Sequence, residues 1–200
     1  MSMILGMVAL RDANLQRLLD DPPLVWQAIA PDDPEIYDKA RAEQSKGGRL
    51  MRLLGRATAA KSVPDLELTP EEGLTTDLDK AWHGIHYLLT GTASEGEPPG
   101  NLLVTGGREA GDLDVGYGPA RVLTSGETRA ARDWLNGIDD DELRRRFNPE
   151  DMVAKEIYPD IWAPDADDDP LGYLVEYART LRGFLNQAVD EGLGIVVYLT

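Results

Sequence analysis

Apolar runs stand at both ends of the chain, and amphipathic stripes fill much of the stretch between them. Met3 to Leu10 is a short apolar run bounded by polar residues, which predicts a first, buried strand. Asp12 is placed to cap a helix carrying Leu15, Leu18 and Leu19, and Pro22-Pro23 ends it. A second short helix runs from Leu24 to about Ala30 and contains Trp26; Pro31 to Pro34 breaks it. Val63 to Thr76 reads as an acidic, proline-containing linker. Asp77 to Leu89 predicts a helix with Leu78, Trp82, Ile85 and Leu89 on one apolar stripe, stopped at Thr90-Gly91-Thr92.

Gly91 to Gly118 is rich in glycine and reads as loop, with Leu102-Leu103-Val104 as a short strand inside it. Arg121-Val122-Leu123 predicts another strand. Thr124 and Glu127 have capping-box spacing, so a helix covers Glu127 to Leu135 and ends at Asn136-Gly137. Asp139 with Glu142 repeats the signature and opens a helix that finishes in Arg144-Arg145-Arg146. Cations in a last helical turn complement the helix dipole, which explains the three arginines without a phosphate. Asn148-Pro149 opens one more short helix, and Ile157-Tyr158-Pro159 leaves it. Asp169-Pro170 opens the longest helix, with Leu174, Ala178, Leu181 and Leu185 on one face and Gly192 as its stop. Gly194 to Leu199 is a continuous apolar run, the pattern of a buried central strand. The expected fold is α+β: a small sheet including the N- and C-terminal strands, covered by several helices. It forms one domain over residues 1–200, with a surface insertion at about 35–75.

Charge narrows the partners. The 200 residues carry a formal net charge of −16. Such a surface repels phosphate backbones, which argues against nucleic acid, and it favours a basic protein partner. Lys39 to Lys61 inverts the sign, with Lys39, Arg41, Lys46, Arg49, Arg52, Arg56 and Lys61 against a single acid, Glu43. Arg49, Arg52 and Arg56 would suit an acidic partner or a lipid surface. Gly47-Gly48, Gly55 and Pro64 favour instead a variable surface segment attracted by the acidic body. The absence of cysteine removes disulfides, thiolate nucleophiles and cysteine metal ligands together. No apolar run reaches the roughly 20 residues needed to span a bilayer, and the start lacks a basic leader, so the expected location is the cytoplasm.

The chemistry-bearing residues are few. His83 and His86 are the chain's two histidines, and both share a helix with Trp82. On an ideal helical wheel Asp79, His83 and His86 fall within an arc of about 60°. They could hold a divalent metal, with carboxylates completing the shell, or orient an imidazole as a base. The simpler reading pairs Asp79 with His83 on the surface and packs His86 at the core edge against Trp82. Asp165, Asp167, Asp169 and Glu176 match calcium-loop positions, but Pro170 stands where that loop needs a positive φ. Gly106-Gly107-Arg108 and Gly116-Tyr117-Gly118-Pro119-Ala120-Arg121 lack the phosphate-loop and dinucleotide spacings, and no G-x-S-x-G elbow occurs. No cofactor is implied, and the lack of a catalytic motif weighs against an enzyme.

Three segments carry a resemblance. They are Asp77-Leu78-Asp79-Lys80-Ala81-Trp82-His83-Gly84-Ile85-His86-Tyr87-Leu88-Leu89-Thr90-Gly91, then Gly116 to Arg121, then Asp141-Glu142-Leu143-Arg144 through Phe147 to Ile157-Tyr158-Pro159. With the opening Met1-Ser2-Met3-Ile4 and the ending Val196-Val197-Tyr198-Leu199, they resemble the YfbM-like family of bacterial proteins, a domain of unknown function. The resemblance implies an α+β fold and a bacterial cytoplasm, and it supplies no activity, cofactor or catalytic residue. Within that family the position of His83 also takes aspartate, which shifts weight to Trp82 and His86. Two functions are expected. The first is a non-enzymatic interaction protein acting on a basic partner, as an immunity protein does on a toxin. The second is a small-molecule site, with or without catalysis, built from Trp82, His86, Tyr117, Arg121 and Tyr158.

Overall fold

The computed structural model of the chain describes residues 2–53, 64–163 and 169–200, without the side chains of 45–53. Strand β1 (Leu5–Leu10) leads into α1 (Asp12–Asp20), a short 3-10 turn (Pro22–Leu24), α2 (Val25–Ile29) and α3 (Pro34–Leu53). Strand β2 (Leu74–Asp77) precedes α4 (Trp82–Thr90), and β3 (Arg108–Asp114) forms a hairpin with β4 (Pro119–Leu123). Helices α5 (Ser125–Asn136), α6 (Asp140–Arg146), α7 (Pro149–Ala154) and α8 (Pro170–Asp190) follow, and β5 (Gly194–Leu199) closes the chain. The sheet order is β2-β1-β5-β4-β3, with every neighbouring pair antiparallel. The C-terminal strand is therefore central, as its unbroken apolar run requires.

Alternation sorts each strand between two cores. Leu5, Met7 and Ala9 of β1, Ile195 and Val197 of β5, and Leu123 of β4 face the larger core. Ile85 of α4, Leu135 of α5 and Leu181 of α8 cover them. Val8, Leu10, Val122 and Val196 point the other way, under Leu15 and Leu18 of α1 and Val25 of α2. Each fully buried leucine contributes roughly 2 kcal/mol relative to an exposed one. At the crossing of α4 and α8, a Cβ on Gly84 would lie 2.6 Å from Leu174 and 2.9 Å from Trp162. The close approach needs glycine there.

The α+β expectation holds, and several helix starts match their caps. Thr124 and Glu127 form the reciprocal capping box, and Asp139, Asn148 and Asp169 each accept the expected backbone N–H. Five local expectations change. Asp12 does not cap α1: Arg11 holds the N-cap position without a side-chain bond, and the Asp12 carboxylate accepts from Ser125 N–H at 2.7 Å instead. Helix α4 begins at Trp82, five residues later than its apolar stripe suggests, because Asp77 ends β2 and a turn follows. In that turn Leu78 N–H donates to Leu5 O at 2.9 Å, and Asp79 takes φ +42° while its N–H donates to Asp77 Oδ1. Buried Leu78 thus mimics a helical position from a turn. The segment read as a linker ends in strand β2, and the glycine-rich loop contains β3. β3 buries Ala110 and bends at Gly111 (φ +68°), so its alternation is faint. Leu102-Leu103-Val104 forms a turn, not a strand.

Arginine at the end of α6 does more than meet its own dipole. Arg146 Nε pairs with Glu142 at 2.8 Å, and its NH1 donates to Leu88 O at 3.2 Å, closing the end of α4. Asp165 and Asp167 lie outside the described residues, as do the side chains of Arg49 and Arg52 and all of Arg56. Among the described residues no helix is long and apolar enough to cross a membrane.

Candidate functional site

Helix α4 carries the aromatic and imidazole groups, and its first turn faces the chain's opening residues. Trp82 is 7% exposed; its Nε1–H donates to Met3 O at 3.2 Å. The Tyr158 hydroxyl accepts from Met3 N–H at 3.0 Å, and the two rings lie 6.2 Å apart. Indole and phenol thus hold both backbone groups of one residue. Trp82 also stacks on His83, with centroids 4.9 Å apart and planes 12° from parallel.

The histidines are latches. His83 Nδ1 accepts from Tyr158 N–H at 2.9 Å, so the ring's proton sits on Nε2 and is donated to Ala93 O at 2.7 Å. His86 Nε2 lies 3.1 Å from Glu95 O and donates to it, which leaves Nδ1 as a buried lone pair without a partner. Burial lowers the pKa of both rings, and His86 falls to about 4 through burial, the neighbouring His83 and Arg121. Both are neutral near pH 7, and together they pin the 93–95 loop to α4. Asp79 does not join them; it precedes the helix and accepts from the Tyr173 hydroxyl at 3.0 Å. Asp79, His83 and His86 therefore do not converge, and no metal-ligating cluster of three His, Cys, Asp or Glu occurs among the described residues.

The β3–β4 hairpin brings the remaining candidates. Asp114 Oδ1 accepts from Gly116 N–H at 2.8 Å and Gly118 N–H at 3.0 Å, which draws the turn tight. Gly116 has φ +151°, and a Cβ there would sit 2.7 Å from Leu199 O. Tyr117, 41% exposed at the tip, donates its N–H to that same carbonyl at 3.0 Å. Arg121 follows on β4, opposite Val197, on the face of the larger core. Its NH1 donates to Leu102 O at 3.1 Å and to Gly106 O, and its NH2 to Leu103 O at 2.8 Å. Burial pushes its pKa down to about 10, so it stays charged near neutrality. Among the described residues no carboxylate lies within 4.0 Å of it; Glu109, its exposed cross-strand neighbour, acts at longer range.

Trp82, Tyr117 and Arg121 line one cleft of about 120 Å³, together with Leu103, Val197 and Leu199. Tyr158 stands behind Trp82 and does not line it, and His86 lies in the core beyond. Larger hollows of about 390, 370 and 330 Å³ lie elsewhere. The first is edged by Arg146, already bonded to Leu88 O, and the second by Glu127, engaged in its helix cap. Sequence reasoning missed Leu103 and Val104, which carry no local signal for a turn that meets an arginine from another strand.

An antiparallel five-stranded sheet with helices on its faces defines an α+β protein. The chain belongs to a domain family of unknown function (DUF1877), which it matches over residues 1–198. The crystal structure of YfbM from Escherichia coli, a protein of unknown function, superposes with a TM-score of 0.61 at 16% identity. The match covers 98% of this chain and 99% of that one. At that identity the likeness establishes the fold. No curated protein sequence matches the chain.

Proposed function

We propose that this is a non-enzymatic binding protein whose ligand site is the cleft between Trp82, Tyr117 and Arg121. The observation that supports the reading is the convergence of these three side chains, drawn from α4, a hairpin tip and β4, on one opening. The cleft offers a cation, an indole, a phenol and aliphatic walls, a set suited to holding and orienting a molecule. Among the described residues no imidazole or carboxylate lines it to act as a base: both nitrogens of His83 are engaged, and His86 is fully buried. At about 120 Å³ the cleft holds roughly four waters' worth of ligand, far less than a nucleotide cofactor.

Native mass spectra of the protein taken from its own kind of cell, before dialysis, test this reading. A bound mass carried by the wild type and lost in Tyr117→Ala supports it. A clean mass in both variants would sink it. That result would leave the second reading, a basic protein partner of the kind an immunity protein neutralises, which the net charge of −16 favours.

A further inference from the structure

Arg121 is a cation whose one cross-strand carboxylate, Glu109, is exposed and acts at longer range, not at contact distance. Three of arginine's five N–H groups meet the carbonyl oxygens of Leu102, Leu103 and Gly106. These are neutral acceptors; they satisfy donors and leave the charge in place. Two N–H groups remain, on a side chain that lines the cleft. In a chain with 36 acidic residues, a half-buried guanidinium with no carboxylate among the described residues inside ion-pair distance is conspicuous. A desolvated cation with no countercharge at contact distance is costly, so an anion entering the cleft recovers free energy that water there does not.

The rest of the lining selects among anions. Leu5, Leu103, Val104, Val197 and Leu199 offer aliphatic surface, and Trp82 an aromatic one whose N–H is already taken by Met3 O. A phosphate would bring a second charge and further acceptor oxygens to walls that hold few donors. The acidic body would also repel a dianion more strongly than a monoanion. A carboxylate suits the planar guanidinium, and a short carbon chain suits the walls.

Resting on the reading of the cleft as a ligand site, we propose that it takes a small aliphatic monocarboxylate. Its carboxylate meets the free edge of Arg121, and its carbon chain lies against Trp82 and Val197. A volume of about 120 Å³ admits an acid the size of propionate and excludes a long fatty acid.

Propionate, propionamide and inorganic phosphate are titrated in turn against the full chain, reading the Trp82 indole N–H signal by NMR. Propionate is expected to bind at least about tenfold more tightly than propionamide, since the amide keeps the shape and loses the charge. Phosphate is expected to neither shift the signal nor compete. Arg121→Gln is expected to equalise the two propionyl compounds. Should that variant fail to fold, the wild-type ratio decides by itself. Equal affinity for propionate and propionamide, or competition by phosphate, would overturn the carboxylate proposal and keep the cleft as a site. A silent indole signal with propionate overturns it too, and the copurified mass sensitive to Tyr117→Ala then decides separately whether the cleft binds anything.

Discussion

Glu72 and Arg121 are both held largely inside this protein, and they are treated in opposite ways. Glu72 has a side chain 0% exposed, and five donors reach it. Oε1 accepts from Arg11 N–H and Asn14 Nδ2, both at 2.8 Å, and Oε2 from Arg11 Nε, Thr69 N–H and the Thr69 hydroxyl. Burial works against its ionisation, but the hydrogen bonds from Thr69, Arg11 and Asn14 outweigh it, so the carboxyl is held below its ordinary pKa. One of its partners, Arg11, is also a countercharge. Among the described residues Arg121 bonds to neutral carbonyls, Glu109 acts on it only at longer range, and there burial wins. Satisfying hydrogen bonds and cancelling charge are separate requirements. Where both are met the site is closed and structural; where only the first is met, and a cleft adjoins, an anion has something to gain.

Loss of the carboxylate is most costly at Glu72. Glu72→Ala strands the N–H groups of Arg11 and Thr69 and the Asn14 amide, at a cost of about 3–5 kcal/mol by urea unfolding. A loss under about 1 kcal/mol would show that water replaces the carboxylate and that the two sites are alike. The pH dependence has a definite sign. Because the folded pKa is depressed from 4.5, the Glu72 contribution is complete above that pH and fades as the pH falls through the folded value.

Arg121→Met keeps the aliphatic bulk and orphans three carbonyl oxygens, while it removes an uncompensated charge. The two effects oppose each other, so the expected loss is about 2 kcal/mol, smaller than at Glu72. A loss as large as that of Glu72→Ala would mean Arg121 is as purely structural as the carboxylate.

The smallest effect is read in pH. His86 has a folded pKa of about 4 against 6.5 in the unfolded chain, so between those values the unfolded state binds more protons. Stability therefore declines as the pH falls from about 6.5 towards 4, by about 1–2 kcal/mol after allowing for solvent screening. His83, lowered in the same direction, adds to the slope. His86→Gln is expected to flatten part of that slope. In Arg121→Met the His86 pKa is expected to rise, because one of its depressing charges is gone; an unmoved titration by NMR would show that Arg121 leaves its surroundings electrically undisturbed.

The legible parts of this chain were those written in local rules. The capping residues Thr124, Asp139, Asn148 and Asp169 act where their spacing put them, and Gly194 to Leu199 is the central strand its apolar run demanded. β2 and β3 were illegible because each is a sheet edge whose pairing comes from one neighbour and whose faces are largely exposed. Glu72 was passed over as one acid among many in an acidic stretch. Its burial depends on Asn14 and Arg11, some sixty residues earlier.

Of the five residues singled out for a site, local pattern alone establishes the types: an indole, an imidazole, two phenols and a guanidinium inside family-like segments. Tertiary structure decided their roles. Trp82, from the first turn of α4, meets Tyr117 and Arg121, from the β3–β4 hairpin, at one cleft. His86 is drawn into packing and latches the loop nine residues on at Glu95, while Tyr158 latches Met3 and His83 from far along the chain. Helical spacing places side chains on a face, but which face meets solvent, core or cleft is settled by the burial of every other element at once.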